Sequence, residues 1–222
     1  MNDALKGAPA EDDCVGFDVD TLSQPDQYKL LAGSVLPRPI ALVTTLGPHG
    51  PNAAPFSFFN AFGSEPPMIA FSAGPRETGA KDTIRNIRDS GEFVVHIVDV
   101  ASAEKMNICA IDFGPGVNEI AEAGFRTAPS VKVRPPRLLD CPVQMECRVM
   151  KMLKLGRTPY DMVIGEVVYF HFRPGIVNER RHVDLARLDP LGRLAGSGGY
   201  GRMSDRFEIK RLPVPPGKEA AR

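Results

Sequence analysis

From Ile40 to Leu46 the chain runs almost without a break through β-branched and apolar residues, the pattern of a buried strand. Gly47-Pro48-His49-Gly50-Pro51 admits only a turn. Asn52 to Ala61 alternates poorly but carries Phe56, Phe58 and Phe59, with Phe62 just beyond, and reads as a second strand. Pro66-Pro67 opens a third, Met68 to Ser72. Lys81 to Asp89 is the clearest helix. Ile84 and Ile87 share a face, Asp82 or Thr83 is placed to cap the start, and Ser90-Gly91 ends it.

Glu92 to Asp99 is a further strand, and Ala101 to Ala110 and Asn118 to Ala123 are short helices, the latter stopped by Gly124. Two long strands, Val143 to Leu155 and Met162 to Phe172, are joined by GRTPYD, a turn suited to antiparallel partners. A helix over residues 24–33 is closed by Gly33. Residues 189–203 are Gly-rich and weakly periodic and read as an ordered loop or lid, followed by an edge strand from Phe207 to Leu212. Polar residues 1–20 form an arm, residues 21–212 one domain, and residues 213–222 a tail. Six or seven strands with hairpin-length connections and few helices predict a mainly β fold, an antiparallel barrel with flanking helices. A Rossmann unit is disfavoured, because Gly196-Ser197-Gly198-Gly199 has the wrong spacing and no strand before it.

The 222 residues suffice for one domain with a sizeable core. Lys+Arg and Asp+Glu balance at 27 each, so net charge gives no pull toward nucleic acid or an anionic membrane, and any anion site must be local. The acidic, polar start is not a signal peptide and no apolar run is long enough to span a bilayer, so a soluble, cytoplasmic protein is expected. Cys14, Cys109, Cys141 and Cys147 form no CxxC pair, and the four histidines show no HxxxH spacing. Reduced structural thiols and no metal are the expectation.

The order of events after Arg38-Pro39-Ile40 carries the chemistry. A buried strand, a Gly/Pro turn, the Asn52-Ala53-Ala54-Pro55-Phe56-Ser57 segment and a basic helix start suggest a site for a flat, phosphorylated ligand such as FMN. Lys81 and Thr83 at the first turn of a helix, with Arg76 before it, suit a phosphate. The same residues also read as an ordinary helix cap. Small residues around Pro55 let a planar ring approach the backbone, although an edge strand with a proline looks alike. Thr44 and Thr45 have the same duality, threonine being a good strand former. His96, alone among apolar residues, reads as a packing residue or as a group facing the ring, and Tyr200 as a loop anchor or a ligand cover. Arg193 is a candidate for an anionic dinucleotide. Neither a Ser-His-Asp constellation nor a carboxylate pair is argued by spacing.

RPIALVTT, NAAPFSFFN, PPMIAFS and KDTIRNI, in this order, together with VRPPRLLDCPVQMEC, VIGEVVYFHF and PLGRLAGSGGY, resemble the flavin reductase-like family of FMN-binding split-barrel proteins over residues 28 to 212. The resemblance implies a Greek-key-like split β-barrel, a homodimer with FMN near its interface, and hydride transfer from NADH or NADPH to the flavin. A monooxygenase or another acceptor would take the electrons, and an electron carrier without a nicotinamide site is the alternative. It implies that Thr44 and Thr45 line the flavin, that Asn52, Ala54, Pro55, Phe56 and Ser57 meet its ribityl chain and polar edge, and that Ser72, Arg76, Lys81 and Thr83 gather at the phosphate. Asn is the commoner residue at the position of His96 among such proteins.

Overall fold

The computed structural model describes residues 14–75, 79–114, 116–196 and 198–215. Among them seven strands form one antiparallel sheet: β1 (Ala41–Gly47), β2 (Gly50–Phe56), β3 (Phe59–Ser64), β4 (Pro67–Ala73), β5 (Glu92–Ile97), β6 (Val143–Leu155) and β7 (Tyr160–Phe172). Their spatial order is β2-β1-β5-β6-β7-β4-β3. The two ends of this sheet, β2 and β3, are consecutive in the chain, with only Ser57-Phe58 between them. The sheet therefore curls until its ends meet, leaving a seam. What sequence periodicity reads as one strand from Asn52 to Ala61 is thus two strands belonging to opposite ends of the sheet, broken where the chain crosses the seam.

The interior of the curl is apolar. Val43, Phe56, Phe71, Phe93, Val95, Met145 and Val163 are buried in one cluster, and Ile84 and Ile87 of helix α2 (Asp82–Ser90) close one end of it. Phe56 and Phe71 join across the seam at 4.8 Å between ring centroids, and Phe71 meets Phe93 edge-on at 5.8 Å. Two register shifts on β7, at Ile164/Gly165 and Val167/Tyr169, supply the bending that closure needs. Gly165 sits where a Cβ would come within 2.4 Å of the Phe93 ring, so the strand approaches the core as closely as it does only with glycine there.

A second cluster lies outside β1. Leu42, Ala53 and Val98 pack there against Met106 and Cys109 and against Ile120 and Phe125, which belong to and follow α3 (Ala103–Ile108) and α4 (Glu119–Glu122). This cover explains the unbroken apolar run of β1, which is buried on both faces. Cys109, Cys141 and Cys147 are free, buried thiols. Burial pushes the Cys109 thiol up to about 12 and the other two higher still, so they serve as small packing residues.

The Gly-rich stretch read as a loop or lid is a hairpin of β8 (Leu191–Leu194) and β9 (Gly199–Arg202), which adds to Arg38–Pro39 as a small separate sheet. Glycines weaken a strand signal without preventing pairing once a neighbour supplies the ladder. No strand forms from Phe207 to Leu212. Those residues carry no regular secondary structure, and Phe207, Ile209 and Leu212 are more than four-fifths exposed. Alternation alone does not make a strand when no edge of the same chain reaches it. Helix α1 (Gln24–Ser34) forms where expected, with Ser23 as its N-cap, but Gly33 does not close it: the helix runs on to Ser34 and ends at Val35, whose N–H donates to the Leu31 carbonyl. Among the described residues, no helix is long and apolar enough to cross a membrane.

Because Phe71 touches both neighbours at the seam, Phe71→Ala should cost about 3–5 kcal/mol in denaturant unfolding. A loss below about 1 kcal/mol would show that the seam does not depend on this ring.

Candidate flavin site

Helix α2 begins without a side-chain cap. Its N-cap is Lys81, which makes no cap hydrogen bond, rather than Asp82 or Thr83. Asp82 pairs instead with Arg85 one turn on, and Thr83 is drawn inward. The Lys81 ammonium lies 5.5 Å from the centre of the Phe56 ring, which ties the helix start to the β2 side of the seam. Arg76 lies outside the described residues.

Thr83 turns inward because a buried amide waits for it. Asn52 Oδ1 accepts from Thr83 Oγ1 at 2.9 Å and from Thr45 Oγ1 at 3.4 Å, while Asn52 Nδ2 donates to both carboxylate oxygens of Glu119 at 3.0 Å. Asn86 Nδ2 donates to Thr45 Oγ1 at 2.9 Å. Gly47 makes room for this amide, since a Cβ there would fall 2.0 Å from Asn86 Oδ1. The network thus joins β1, β2, α2 and α4. Burial raises the Glu119 pKa, opposed by its bonds from the Ala53 amide and Asn52.

These contacts change the reading of several residues. Thr45, Asn52 and Thr83 are brought together in one buried hydrogen-bonded brace, and Asn52 and Asn86 also line a small hollow beside Gly47 and Asp82. Thr44 is equally buried and donates to the Pro136 carbonyl at 2.7 Å, away from that brace. Glu119 and Asn86 complete the brace and were not singled out in the sequence, since their neighbours there give no hint that both meet β1 and β2.

The backbone of β2 is similarly committed. Ala53 N–H donates to Glu119 Oε2 at 3.3 Å, so it points away from β1. Strand alternation then turns Pro51 and Pro55 outward too, and places Asn52, Ala54 and Phe56 in the ladder opposite Thr45, Val43 and Ala41. Two prolines and one capped amide leave this edge with carbonyls and few donors, which protects it from pairing with another chain. Of the expected backbone contacts, those of Ala54 and Phe56 are used within the sheet, whereas Pro55 faces outward.

The seam itself opens into a cleft. A cavity of about 350 Å³ is lined by Ser57, Phe58, Phe62, Ser72, Arg38 and Met162, among others. It adjoins a hollow of about 570 Å³ through the shared Leu31, Phe58, Ser72 and Met162, which Tyr28 and Tyr160 also line. On its other side Ser57 borders a third hollow of about 160 Å³, with Pro55, Met106, Arg193 and Tyr200. Arg193 is held over the Tyr200 ring at 4.7 Å and donates to the Gly196 carbonyl, so both are fixed by the β8–β9 hairpin. Arg38 is almost fully buried and donates to the carbonyls of Ala32, Val35 and Ala195, fastening α1 and the hairpin beside the cleft. Its Nε has no partner. Arg38 and Met162 are cleft residues that no motif reading assigned a role, because only the fold brings their strands to the seam.

His96 does not face this cleft. It is wholly buried, accepts from the Leu138 N–H through Nε2 at 2.9 Å and donates from Nδ1 to the Leu42 carbonyl at 2.9 Å. Burial pushes its pKa down to about 3, against the raising effect of the Leu42 bond and with help from Arg137 and His171. It is a neutral staple between β1 and the Arg137–Leu138 segment, not a group at a flavin ring. Glu146 makes a parallel brace, accepting from Val131 N–H, Lys132 N–H and His171, which hold its carboxyl below the usual range despite burial.

With this geometry in view, the comparisons with known proteins agree. Residues 32–187 match the flavin reductase like domain. The chain belongs to the flavin reductase-like family. Its fold is that family's split β-barrel. An uncharacterized protein of Deinococcus radiodurans is 42% identical over 204 residues, covering 88% of this chain and 89% of the relative. Nitrilotriacetate monooxygenase component B from Bacillus cereus superposes with a TM-score of 0.84 at 33% identity, over 88% of this chain and 98% of that one. The Pseudomonas fluorescens 2-nitrobenzoate 2-nitroreductase NbaA does so with a TM-score of 0.78 at 37% identity, over 93% and 100%.

The staple carries a pH signature. The unfolded imidazole takes up a proton below about 6.5 and the folded one does not until about pH 3, so His96 stabilises in full above pH 6.5 and loses that contribution as pH falls through the window. The slope reaches about 1.4 kcal/mol per pH unit at most. His96→Leu should be less stable at pH 7 yet lose less on going to pH 5, as read from guanidinium midpoints. An unchanged pH slope would remove His96 as its source.

Proposed function

We propose that this member of the flavin reductase-like family is an FMN-binding oxidoreductase that uses NADH or NADPH. The observation that carries the reading is the seam cleft. Two serine hydroxyls, Ser57 and Ser72, stand among aromatic and apolar walls in a volume within the range of about 300–1,000 Å³ typical of cofactor sites. Such a donor set suits a flat ring with one polar edge. Pro55 of β2 and Ser57 just after it line the hollow on that side and are left for that edge, and the first turn of α2 with Lys81 suits the phosphate.

When bound, FMN supplies two-electron hydride chemistry. The protein's part is to orient and to exclude water. Phe58, Phe62 and Met162 provide the dry wall, and Asn52 with Glu119 keeps β2 in place. Arg193 and Tyr200 border the adjoining hollow, and there they would receive the nicotinamide dinucleotide. A homodimer in the cytoplasm is part of the same reading. The likeness to nitrilotriacetate monooxygenase component B supports a separate monooxygenase as electron acceptor.

The visible spectrum of the purified protein with FMN, before and after anaerobic NADH or NADPH, tests this. Bleaching by either nucleotide is expected and names the donor. Bleaching by dithionite alone would make the protein a flavin electron carrier, and failure to quench FMN fluorescence would sink the flavin reading. Lys81→Ala should weaken FMN binding by about 1.5–3 kcal/mol, the contribution of a hydrogen bond to a charged group. An unchanged titration would remove Lys81 from the site.

A further inference from the structure

The largest of the three spaces at the seam belongs neither to the flavin nor to the dinucleotide in the reading above. It is the hollow of about 570 Å³ beside the cleft. Its wall is built from rings. Phe58 meets Tyr28 of α1 and Tyr160 of β7 at 6.3 Å and 6.2 Å between centroids, and the Phe58 and Tyr160 planes lie within 26° of parallel. Two glycines reserve the room for these tyrosines. A Cβ on Gly196 would fall 2.8 Å from Tyr28 Cε1, and one on Gly74 would fall 3.2 Å from Tyr160 Cε1. Arg38 holds the end of α1 through the Ala32 and Val35 carbonyls, so the Tyr28 side of the wall is fastened to the fold.

The polar groups around these rings are of one kind. Tyr28, Ser72, Thr158 and Tyr160 each bring a hydroxyl to the hollow, and no carboxylate lines it. Among the described residues, none of the four hydroxyls has a protein partner. Arg157 is the cation on the lining, and Asp20 pairs with it at 2.9 Å. The hollow therefore offers hydrogen-bond donors without net charge. An ammonium group would find no counter-charge there, and a carboxylate would find its cation already paired. A neutral flat ring whose edge carries acceptor oxygens fits both the stacked wall and the hydroxyls.

We propose that this hollow binds a quinone and presents it to the flavin as an electron acceptor reduced directly, without a protein partner. The acceptor role rests on the flavin reading given above. Leu31, Phe58, Ser72 and Met162 line both spaces, so an occupant of the hollow borders an occupant of the cleft. The reaction balances with the reductant already named. NADH or NADPH gives up a hydride, which is two electrons and one proton, by way of the flavin, and water supplies the second proton. The two quinone carbonyls become hydroxyls and the dinucleotide leaves oxidised.

Isothermal titration of the full chain with a naphthoquinone tests the site without FMN or nucleotide. Both free carbons of its quinone ring should be methylated, which blocks addition of the exposed Cys14 thiol. Saturable binding is expected, and naphthylmethylamine, an ammonium ion on the same rings, should not bind. The double variant Tyr28→Ala, Tyr160→Ala, folded by circular dichroism, should bind the quinone at least about tenfold more weakly, having lost two aromatic contacts. Thr158→Trp, in the exposed turn between β6 and β7, should block the hollow from its rim and weaken binding as much. With FMN and NADH or NADPH present, the bound quinone should be reduced, with a KM raised in both variants. No saturable binding, equal binding of the amine, or undiminished binding in both variants would overturn the proposal. A bound quinone left unreduced by protein whose flavin the nucleotide bleaches would overturn the acceptor role. If the quinone binds through these tyrosines while FMN does not bind, the quinone site stands and the flavin reading falls. If FMN binds and is bleached while the quinone does not bind, the flavin reading stands and the quinone site falls.

Discussion

The structure depends on one topological constraint: the two end strands of the main sheet are neighbours in the chain, joined by Ser57-Phe58 alone. So short a link cannot span the width of an open seven-stranded sheet. The sheet has to close on itself, and the two register shifts on β7 with Gly165 at the tightest approach give it the bend to do so. Closure buries Phe56, Phe71 and Phe93 together and releases a seam on the outside. The same link that forces closure places Ser57 and Phe58 at the mouth of the cleft, so the fold and its candidate site have a common origin.

Rigid support around the seam comes from buried polar groups bonded to one another. Asn52 ties β2 to α4 through Glu119 and to α2 through Thr83, while His96 and Glu146 brace β1 and β6 to the segments that cross them. A half-satisfied buried network costs more than an apolar core, and these side chains hold one another in place. This separates two kinds of polar residue that look alike along the chain. Those in the brace tie β2 to the helices beside it, and Ser57, Ser72, Arg193 and Tyr200 border the seam cleft and the hollow next to it.

Much of the fold was legible because its signals are local. The apolar run of β1, the α2 helix with its Gly91 end and the long hairpin of β6 and β7 each follow from a few adjacent residues. The errors share a cause as well. Residues 52–61 were read as one strand because nothing local marks the seam crossing. The β8–β9 hairpin was hidden by glycines, and the Phe207–Leu212 strand was inferred from an alternation that finds no edge in this chain. His96, which the sequence leaves as either a packing residue or a ring-facing group, has both ring nitrogens bonded within the protein, in keeping with the packing reading.

The sequence by itself determined the class of the protein: a mainly antiparallel β domain with an FMN-type succession of strand, turn, proline-bearing edge and basic helix start, and its resemblance to the flavin reductase-like family. Periodicity, turn chemistry and capping act over a few residues, and those terms are complete in the chain. Only the tertiary structure decided which polar groups are free to meet a ligand. That depends on long-range pairings such as Asn52 with Glu119 and Leu138 with His96, and on the seam that brings Ser57, Ser72 and Met162 to one cleft. Hydrogen-bond capacity is used up by whichever partner arrives, and the partners here come from strands and helices far apart in sequence.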